Sequence, residues 1–241
     1  MAWWETWFGE EYLDLYPHRD LDSARREAAF ALQRLPQDDR TPLLDLCCGS
    51  GRHALRFAEA GIAPVGLDYS APQLALARRR NPCLRLVRGD MRQLPFGDGR
   101  FRAVVNFFTS FGYFLSDADN RAVVAEIARV LSRGGRFLCD TFSLDHVLGR
   151  LVGEESRSSG DREYRIRRRW NAATKRIEKE IEVRRAGTVE MFGESVRAYT
   201  GDELARLLDS AGLAVEAVWG DFDGCLAGAD SPRLIALASK S

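Results

Sequence analysis

Short apolar runs alternate with longer amphipathic stretches along most of the chain. Residues 42–46 predict a strand, and residues 52–60 predict a helix that stops at Gly61. Further strands are predicted at residues 63–68, 84–88, 101–107, 136–140, 213–219 and 233–238. Strands that alternate with helices are typical of βαβ units. The pattern therefore predicts an α/β fold with a doubly wound, mainly parallel sheet.

Two segments do not follow this alternation. Residues 1–34 are rich in aromatic side chains at helical spacing and predict an N-terminal helical cap. Residues 157–198 predict antiparallel strands, inserted as a β hairpin lid into a core of residues 35–156 and 199–241. Both segments could cover the carboxyl ends of the parallel strands, where ligands bind in open α/β sheets.

A glycine-rich turn follows the first predicted strand, with the sequence Asp45-Leu46-Cys47-Cys48-Gly49-Ser50-Gly51. Glycine has no Cβ, so a ligand can approach the backbone of such a turn closely. The run from Gly49 to Ala54 also fits the relaxed dinucleotide fingerprint, with Asp68 at nearly the right distance for a ribose. An NAD-dependent oxidoreductase is therefore one alternative.

Asp45 argues against a dinucleotide at this turn. A carboxylate beside the loop would repel a pyrophosphate, whereas S-adenosylmethionine has no phosphate and carries an ammonium and a sulfonium. Residues 43–51 resemble the first motif of the class I S-adenosylmethionine-dependent methyltransferases, Asp-x-x-x-Gly-x-Gly. The sequence departs from common forms of that motif at the Cys47-Cys48 pair, where smaller residues are usual.

Four further stretches resemble successive parts of the same family: residues 65–70, 88–91, 101–108 and 130–137. The resemblance implies a Rossmann-like sheet of seven strands with the seventh antiparallel, and S-adenosylmethionine as the cofactor. It implies that Asp68 takes the ribose hydroxyls, that Asp90 faces the adenine amino group, and that the amide of Met91 meets a ring nitrogen. It covers residues 40–142 well and the last two strands loosely.

The resemblance also places residues around the methionine end of the cofactor and the acceptor. In similar enzymes an N-terminal Tyr and Arg close over the methionine end, so Tyr12 and Arg19 are candidates, with Arg19 paired to the carboxylate. The full cofactor set is Asp45, Gly49, Gly51, Asp68, Tyr69, Asp90, Met91, Asn106, Phe107, Tyr12 and Arg19. The candidates for acceptor binding are Tyr16, Phe108, Tyr113, Arg168 and Tyr199.

No catalytic residue is assigned from the sequence, and His53 is expected to be a solvated or loop residue. Methyl transfer is an in-line displacement from a sulfonium that is already a strong leaving group, so the protein contributes mainly alignment and exclusion of water. A general base is needed only when the acceptor arrives protonated. The sequence of residues 106–114 resembles the corresponding segment of small-molecule methyltransferases. The acceptor is therefore expected to be a small molecule methylated at N, O or C. An RNA or protein methyltransferase on the same fold is the main alternative.

The insert is densely basic between Arg162 and Arg185, which invites a nucleic-acid-binding interpretation. A hairpin that pairs Trp170 with Ile177 places most of these arginines opposite glutamates, and it leaves Arg168 opposite Lys179. Cross-strand pairing of this kind leaves little net field for phosphate. The sequence therefore favours a structural lid over contact with nucleic acid.

The amino-acid composition argues against several kinds of binding partner. Lys plus Arg and Asp plus Glu each number 35, so no global charge attracts nucleic acid or a membrane. The five cysteines show no Cys-x-x-Cys pair, and no metal site is expected. The chain has no apolar stretch of membrane-spanning length and no signal-peptide pattern, so we expect a cytoplasmic protein. The sequence does not predict an oligomeric state.

Overall fold

A seven-stranded sheet forms the centre of the chain in the computed structural model, which describes residues 2–16, 20–36 and 42–241. Its strands are β1 (Leu43–Leu46), β2 (Pro64–Asp68), β3 (Arg85–Arg88), β4 (Phe101–Asn106), β5 (Leu131–Phe142), β10 (Leu213–Trp219) and β11 (Arg233–Lys240). Their order is β10-β11-β5-β4-β1-β2-β3. β11 is antiparallel to both of its neighbours, and the other pairs are parallel. The predicted α/β class and the antiparallel last strand are confirmed.

The order of the strands reverses between β1 and β4, which is the topological switch point of the sheet. In open α/β sheets ligands bind outside the carboxyl ends of the strands at this point. The helices that connect the sheet strands are α4 (Arg52–Glu59), α5 (Ala71–Arg80), α6 (Asp117–Val130) and α8 (Gly201–Asp209). Ser70 caps α5, because its hydroxyl accepts a hydrogen bond from the Gln73 amide.

Both faces of the sheet are buried. Leu44 and Leu46 of β1 belong to one apolar cluster, whereas Leu43 belongs to another. Successive side chains of a strand point to opposite faces. This explains why most residues of the central strands β1 and β4 are apolar.

One predicted boundary is wrong. The sequence pattern ends the helix before β5 at Gly134-Gly135, but α6 ends at Val130, and Leu131 already pairs with Phe101. Gly134 has φ +66° and lies at an irregularity within β5, where the register shifts. A bulge and a helix terminus both favour glycine, so the glycine pair alone could not distinguish them.

The insert is a four-stranded antiparallel sheet of β6 (Glu154–Ser159), β7 (Arg162–Asn171), β8 (Arg176–Arg185) and β9 (Thr188–Arg197). The predicted register of the central hairpin is confirmed, with Trp170 opposite Ile177 and Arg168 opposite Lys179. The insert is larger than the predicted hairpin and begins at Glu154, before residue 157, because β6 adds a strand on the other side of β7.

The described N-terminal helices are α1 (Trp3–Trp7), α2 (Glu10–Leu15) and α3 (Leu21–Leu32), and α7 (Leu144–Gly149) precedes the insert. Trp7 and Leu15 pack against the inner face of the insert, where Tyr164 and Ile181 are fully buried. Arg162 also forms an ion pair with Asp14. None of the helices in the described part of the chain has the length and apolar character that crossing a bilayer requires.

Candidate active site

Two adjoining cavities lie at the carboxyl ends of the parallel strands. The first has a volume of about 530 Å³ and follows the ends of β1 to β4. The second has a volume of about 420 Å³ and lies between the N-terminal helices, α7 and the insert. Both volumes are in the usual range for small-molecule sites. Four aromatic side chains line both cavities and form their junction: Phe8, Tyr12, Phe108 and Tyr113.

The glycine-rich turn forms one wall of the first cavity. Gly49 lines the cavity with φ +54°, and Cys47 takes a left-handed conformation at φ +61°. Gly51 has a different role, because it precedes α4 with φ +73°, and a Cβ there would lie 3.0 Å from the Cβ of Ala77. Gly49 is therefore placed to contact a ligand, whereas Gly51 permits close packing of the helix that follows the turn.

Asp68 faces the first cavity from the end of β2. Its Oδ2 accepts a hydrogen bond from the Gly49 amide at 2.7 Å, and its Oδ1 accepts one from the Ser70 amide at 2.8 Å. Burial raises the pKa of Asp68, and these amides oppose the shift. An ionised carboxylate has about four lone-pair sites, so both oxygens keep acceptor capacity for further hydroxyl donors. Two backbone amides thus fix the orientation of this carboxylate.

Asp90, Met91 and Tyr69 also line the first cavity. Asp90 is held by Arg92, whose Nη2 lies 2.6 Å from Oδ2 and whose Nε lies 3.1 Å from each oxygen. Burial alone would raise the pKa of Asp90, but the hydrogen bonds from Arg92 hold it below its ordinary value. Met91 is buried and its Sδ contacts the thiol of Cys47, while the Tyr69 ring is 38% exposed at the rim.

Besides Gly51, two of the expected cofactor residues in the described ranges do not line either cavity. Asp45 is 1% exposed and lies beneath the turn; burial raises its pKa to about 7, and its Oδ2 has no hydrogen-bond partner among the described residues. Asn106 is also buried, and its side-chain amide donates to the Leu46 carbonyl at 2.9 Å. The expectation that the Asp45 carboxylate rims the crevice is therefore corrected, because its side chain turns toward the start of α4.

A buried ionic cluster beside the first cavity is not predicted by the sequence pattern. The Glu27 carboxylate lies 2.7 Å from Nη1 of Arg52 and 2.5 Å from Nε2 of His53. The His53 ring stacks on Phe107 at 4.2 Å, and both rings line the cavity. The expectation of a solvated or loop His53 is wrong. Burial, reinforced by the charge of Arg52, lowers the pKa of His53 to about 4 against the pull of Glu27.

Tyr16 belongs to a polar cluster that joins the N-terminal segment to the insert. Its Oη donates to Oε1 of Glu194 at 2.9 Å, and Nζ of Lys179 lies 3.0 Å from the same phenol oxygen. Trp7 Nε1 also donates to Glu194, at 2.7 Å. Burial, followed by the charge of Glu194, raises the pKa of Tyr16. Tyr16 lines the first cavity and Tyr12 lines both, whereas Arg19 lies outside the described residues.

Apart from Tyr16, which lines the first cavity, the candidates for acceptor binding separate into two groups. Phe108, Tyr113 and Arg168 line the second cavity. Tyr199 is instead a core residue, 5% exposed and packed against Phe111 at 5.5 Å, so its expected role as an acceptor contact is corrected. Its position just before the cap of α8 turns the ring into the core, which the sequence pattern did not indicate.

The aromatic loop after β4 is held by a buried guanidinium. Arg176 on β8 is 3% exposed and donates to the carbonyl oxygens of Gly112, Tyr113 and Phe114 at 2.9–3.1 Å. Gly112 has φ +94° and its carbonyl also accepts from the Arg197 amide. The insert therefore fixes the loop that carries Tyr113 at the junction of the cavities. In the described ranges, no three or more His, Cys, Asp or Glu side chains are grouped so that they could hold a metal ion.

Comparison with known proteins agrees with this geometry. Residues 43–135 match the model of a family described as a methyltransferase domain. A glycine/sarcosine N-methyltransferase of Halorhodospira halochloris is 34% identical over 152 residues, which are 58% of this chain and 57% of the relative. A dTDP-3-amino-3,6-dideoxy-alpha-D-glucopyranose N,N-dimethyltransferase of Streptomyces fradiae is 41% identical over 43% of this chain and 41% of the relative. The chain thus spans about half the length of the curated relatives it matches.

A solved structure extends the likeness to nearly the whole chain. The SAM-bound amino pentose methyltransferase from Micromonospora echinaspora is 25% identical with a TM-score of 0.67, over 96% of this chain and 97% of that chain. The matched segment contains the turn at Gly49 and the acids Asp68 and Asp90. Residues 43–135 are thus similar to a methyltransferase domain, and nearly the whole chain has the fold of a methyltransferase that binds S-adenosylmethionine.

Proposed function

We propose that this chain transfers a methyl group from S-adenosylmethionine to a small-molecule acceptor at a nitrogen, oxygen or carbon atom. The observation that carries the proposal is the Asp68 carboxylate, fixed by the Gly49 amide at 2.7 Å and facing a cavity at the switch point of the sheet. A carboxylate in this position suits a ribose with two free hydroxyls.

The residues of the first cavity fit this cofactor. Gly49 has no Cβ and lets the ligand approach the backbone, while Asp68 and Asp90 offer oriented acceptors for hydroxyl and amino groups. The described residues that line this cavity include four carboxylates but only two guanidinium groups, those of Arg52 and Arg80. The carboxylates are those of Asp20, Asp22, Asp68 and Asp90. When bound, the cofactor would supply an electrophilic methyl on a positively charged sulfur, and acidic walls match that charge.

The second cavity is the proposed acceptor site, because it meets the first at Phe8, Tyr12, Phe108 and Tyr113. These rings exclude water from the junction and can stabilise positive charge by cation–π attraction. Positive charge moves toward the acceptor during transfer to an amine. Two of the curated relatives, from Halorhodospira halochloris and Streptomyces fradiae, are named N-methyltransferases, which supports nitrogen as the acceptor atom.

We assign the chain a small-molecule acceptor rather than RNA or protein. On the exposed face of the insert, arginines are paired with glutamates, as in Arg167 with Glu180 at 2.8 Å and Arg169 with Glu178 at 2.6 Å. Paired charges on a solvent-exposed face leave little attraction for the phosphates of a nucleic acid. We also propose a cytoplasmic setting, since all five cysteines are free thiols, as is usual in a reducing compartment.

Thermal unfolding with S-adenosylhomocysteine or with NADH separates the methyltransferase from the oxidoreductase alternative. A ligand that binds the folded state raises the melting temperature. The proposal expects a rise with S-adenosylhomocysteine and none with NADH, and the reverse result would contradict it. Steeply salt-dependent binding of RNA would instead favour the nucleic-acid alternative.

A further inference from the structure

We propose that the acceptor carries an oxyanion, a carboxylate or a phosphate, and that the second cavity holds this group on Arg168 together with Arg233 and Arg150. The inference rests on the proposed function and deepens it, because it names the chemical class of the acceptor. The methylated atom would lie at the aromatic junction, and the oxyanion would lie against the guanidinium groups.

The two cavities have opposite charge. Carboxylates outnumber cations among the described residues that line the first cavity. The described residues that line the second cavity include four cations, Arg150, Arg168, Lys179 and Arg233. They include only two carboxylates, those of Glu155 and Glu194. Charge complementarity determines which ligand a cleft attracts and in which orientation. A cationic cofactor therefore suits the first cavity, and an acceptor with a negative group suits the second.

Arg168 and Lys179 lie directly opposite each other on the inner face of the insert. Like charges at such a position destabilise a sheet, and neighbouring pairs such as Arg169 and Glu178 avoid this arrangement. The structure compensates each charge with one carboxylate: Glu155 lies 2.8 Å from Arg168, and Glu194 lies 2.6 Å from Lys179. Binding of a negatively charged ligand would explain why two cations, Arg168 and Lys179, lie opposite each other here.

The carboxylate partners orient these cations and leave donors for a ligand. Glu155 contacts Arg168 through Nη1, and a guanidinium has five N–H groups. The side chain of Arg168 is 17% exposed, so most of it is desolvated while part of it still faces the cavity. A guanidinium held in this way loses little conformational entropy when it binds a planar oxyanion.

Arg233 is fixed from the opposite side of the cavity. Its Nη2 lies 2.6 Å from the fully buried Asp140, which also accepts a hydrogen bond from the Phe108 amide at 2.8 Å. Its guanidinium carbon lies 5.3 Å from the centre of the Phe108 ring, at the junction. Arg150 follows α7 and contacts His146 at 2.9 Å. Guanidinium groups from β7, β11 and the end of α7 thus surround one cavity, which favours bidentate recognition of an oxyanion.

Three small amines of matched structure test this inference by calorimetry on the chain saturated with S-adenosylhomocysteine. Ethanolamine carries no acid, β-alanine carries a carboxylate, and phosphoethanolamine carries a phosphate. We expect at least one of the anionic probes to bind about 10-fold more tightly than ethanolamine. The stronger of the two identifies the oxyanion.

The variant Arg168→Gln should abolish this preference. The matched control is Arg169→Gln, which changes the next residue of the same strand on the opposite, exposed face and should preserve the preference. Equal binding of all three amines, no binding of either anionic probe at millimolar concentration, or an equal loss in both variants would overturn the inference. If S-adenosylhomocysteine itself fails to bind, the proposed function fails, and the same titrations on the cofactor-free chain still test the oxyanion site.

Discussion

The Oδ2 atom of Asp68 accepts a hydrogen bond from the amide of Gly49 at 2.7 Å, and this contact joins the ends of two adjacent parallel strands. The turn after β1 and the acid at the end of β2 are therefore joined by a direct hydrogen bond. Because the Ser70 amide holds the other oxygen, the carboxylate is oriented before any ligand arrives. Pre-organisation of this kind reduces the entropic cost of binding.

Replacing Asp68 with alanine should weaken binding of S-adenosylhomocysteine by about 1–3 kcal/mol, the usual cost of losing a buried hydrogen-bond partner. Calorimetric titration of the variant measures this change. Asp209→Ala is the control, because Asp209 lies exposed at the end of α8, far along the chain from the turn. Unchanged affinity in Asp68→Ala would remove this residue from its proposed role.

Replacing Arg176 with alanine should lower the free energy of unfolding by about 2–5 kcal/mol, because several buried carbonyl groups lose their donor. Chemical denaturation measures the loss. Arg184→Ala serves as the control, since Arg184 is exposed on the same strand and its removal should cost less than about 0.5 kcal/mol. Equal stability of the two variants would show that Arg176 does not hold the loop of residues 112–114.

The buried His53 should make stability depend on pH. Its pKa is lowered to about 4 in the folded chain, whereas an unfolded imidazole titrates near about 6.5. Between these values the unfolded chain binds a proton that the folded chain does not. The free energy of unfolding should therefore be fully maintained above pH about 6.5 and fall by up to about 3 kcal/mol as the pH drops to about 4.

Denaturation of the wild type and of His53→Gln across this window isolates the contribution of His53. The variant should lose less stability than the wild type on acidification, because the titrating group is gone. His146→Gln is the control for the loss of an imidazole, since His146 lies outside the cluster of Glu27, Arg52 and His53. Parallel curves for the wild type and His53→Gln would contradict the assignment of a neutral, buried imidazole.

Much of the fold follows from local sequence signals. The central strands β1 and β4 are mostly apolar because both faces of the sheet are buried, and Ser70 marks the start of α5 through a hydrogen bond within its own turn. The register of the central hairpin of the insert was also predictable, since one arrangement of β7 on β8 pairs Arg165, Arg167 and Arg169 with glutamates. These features depend on residues that are close in sequence or paired in a single hairpin.

The features that the sequence did not predict depend on contacts between segments that are distant along the chain. His53 is buried where Glu27 of α3 and Phe107, the residue after β4, both contact it, and no spacing within the chain predicts that these segments meet. Strand order predicts the position of Asp45 beside the loop but not the direction of its side chain. Tyr199 likewise turns into the core against Phe111. The motif residues Asp68, Asp90 and Gly49 do line one cavity, and their contacts with the cofactor stay a prediction.

The central claim is that the cavity at Gly49 and Asp68 is built for a positively charged adenosyl methyl donor and not for a phosphorylated dinucleotide. Crystals soaked with S-adenosylhomocysteine and NADH together test it most directly. We expect density for the adenosyl thioether, with its ribose hydroxyls within hydrogen-bond distance of Asp68. Density for the dinucleotide instead, with its pyrophosphate against the backbone of Gly49, would contradict it.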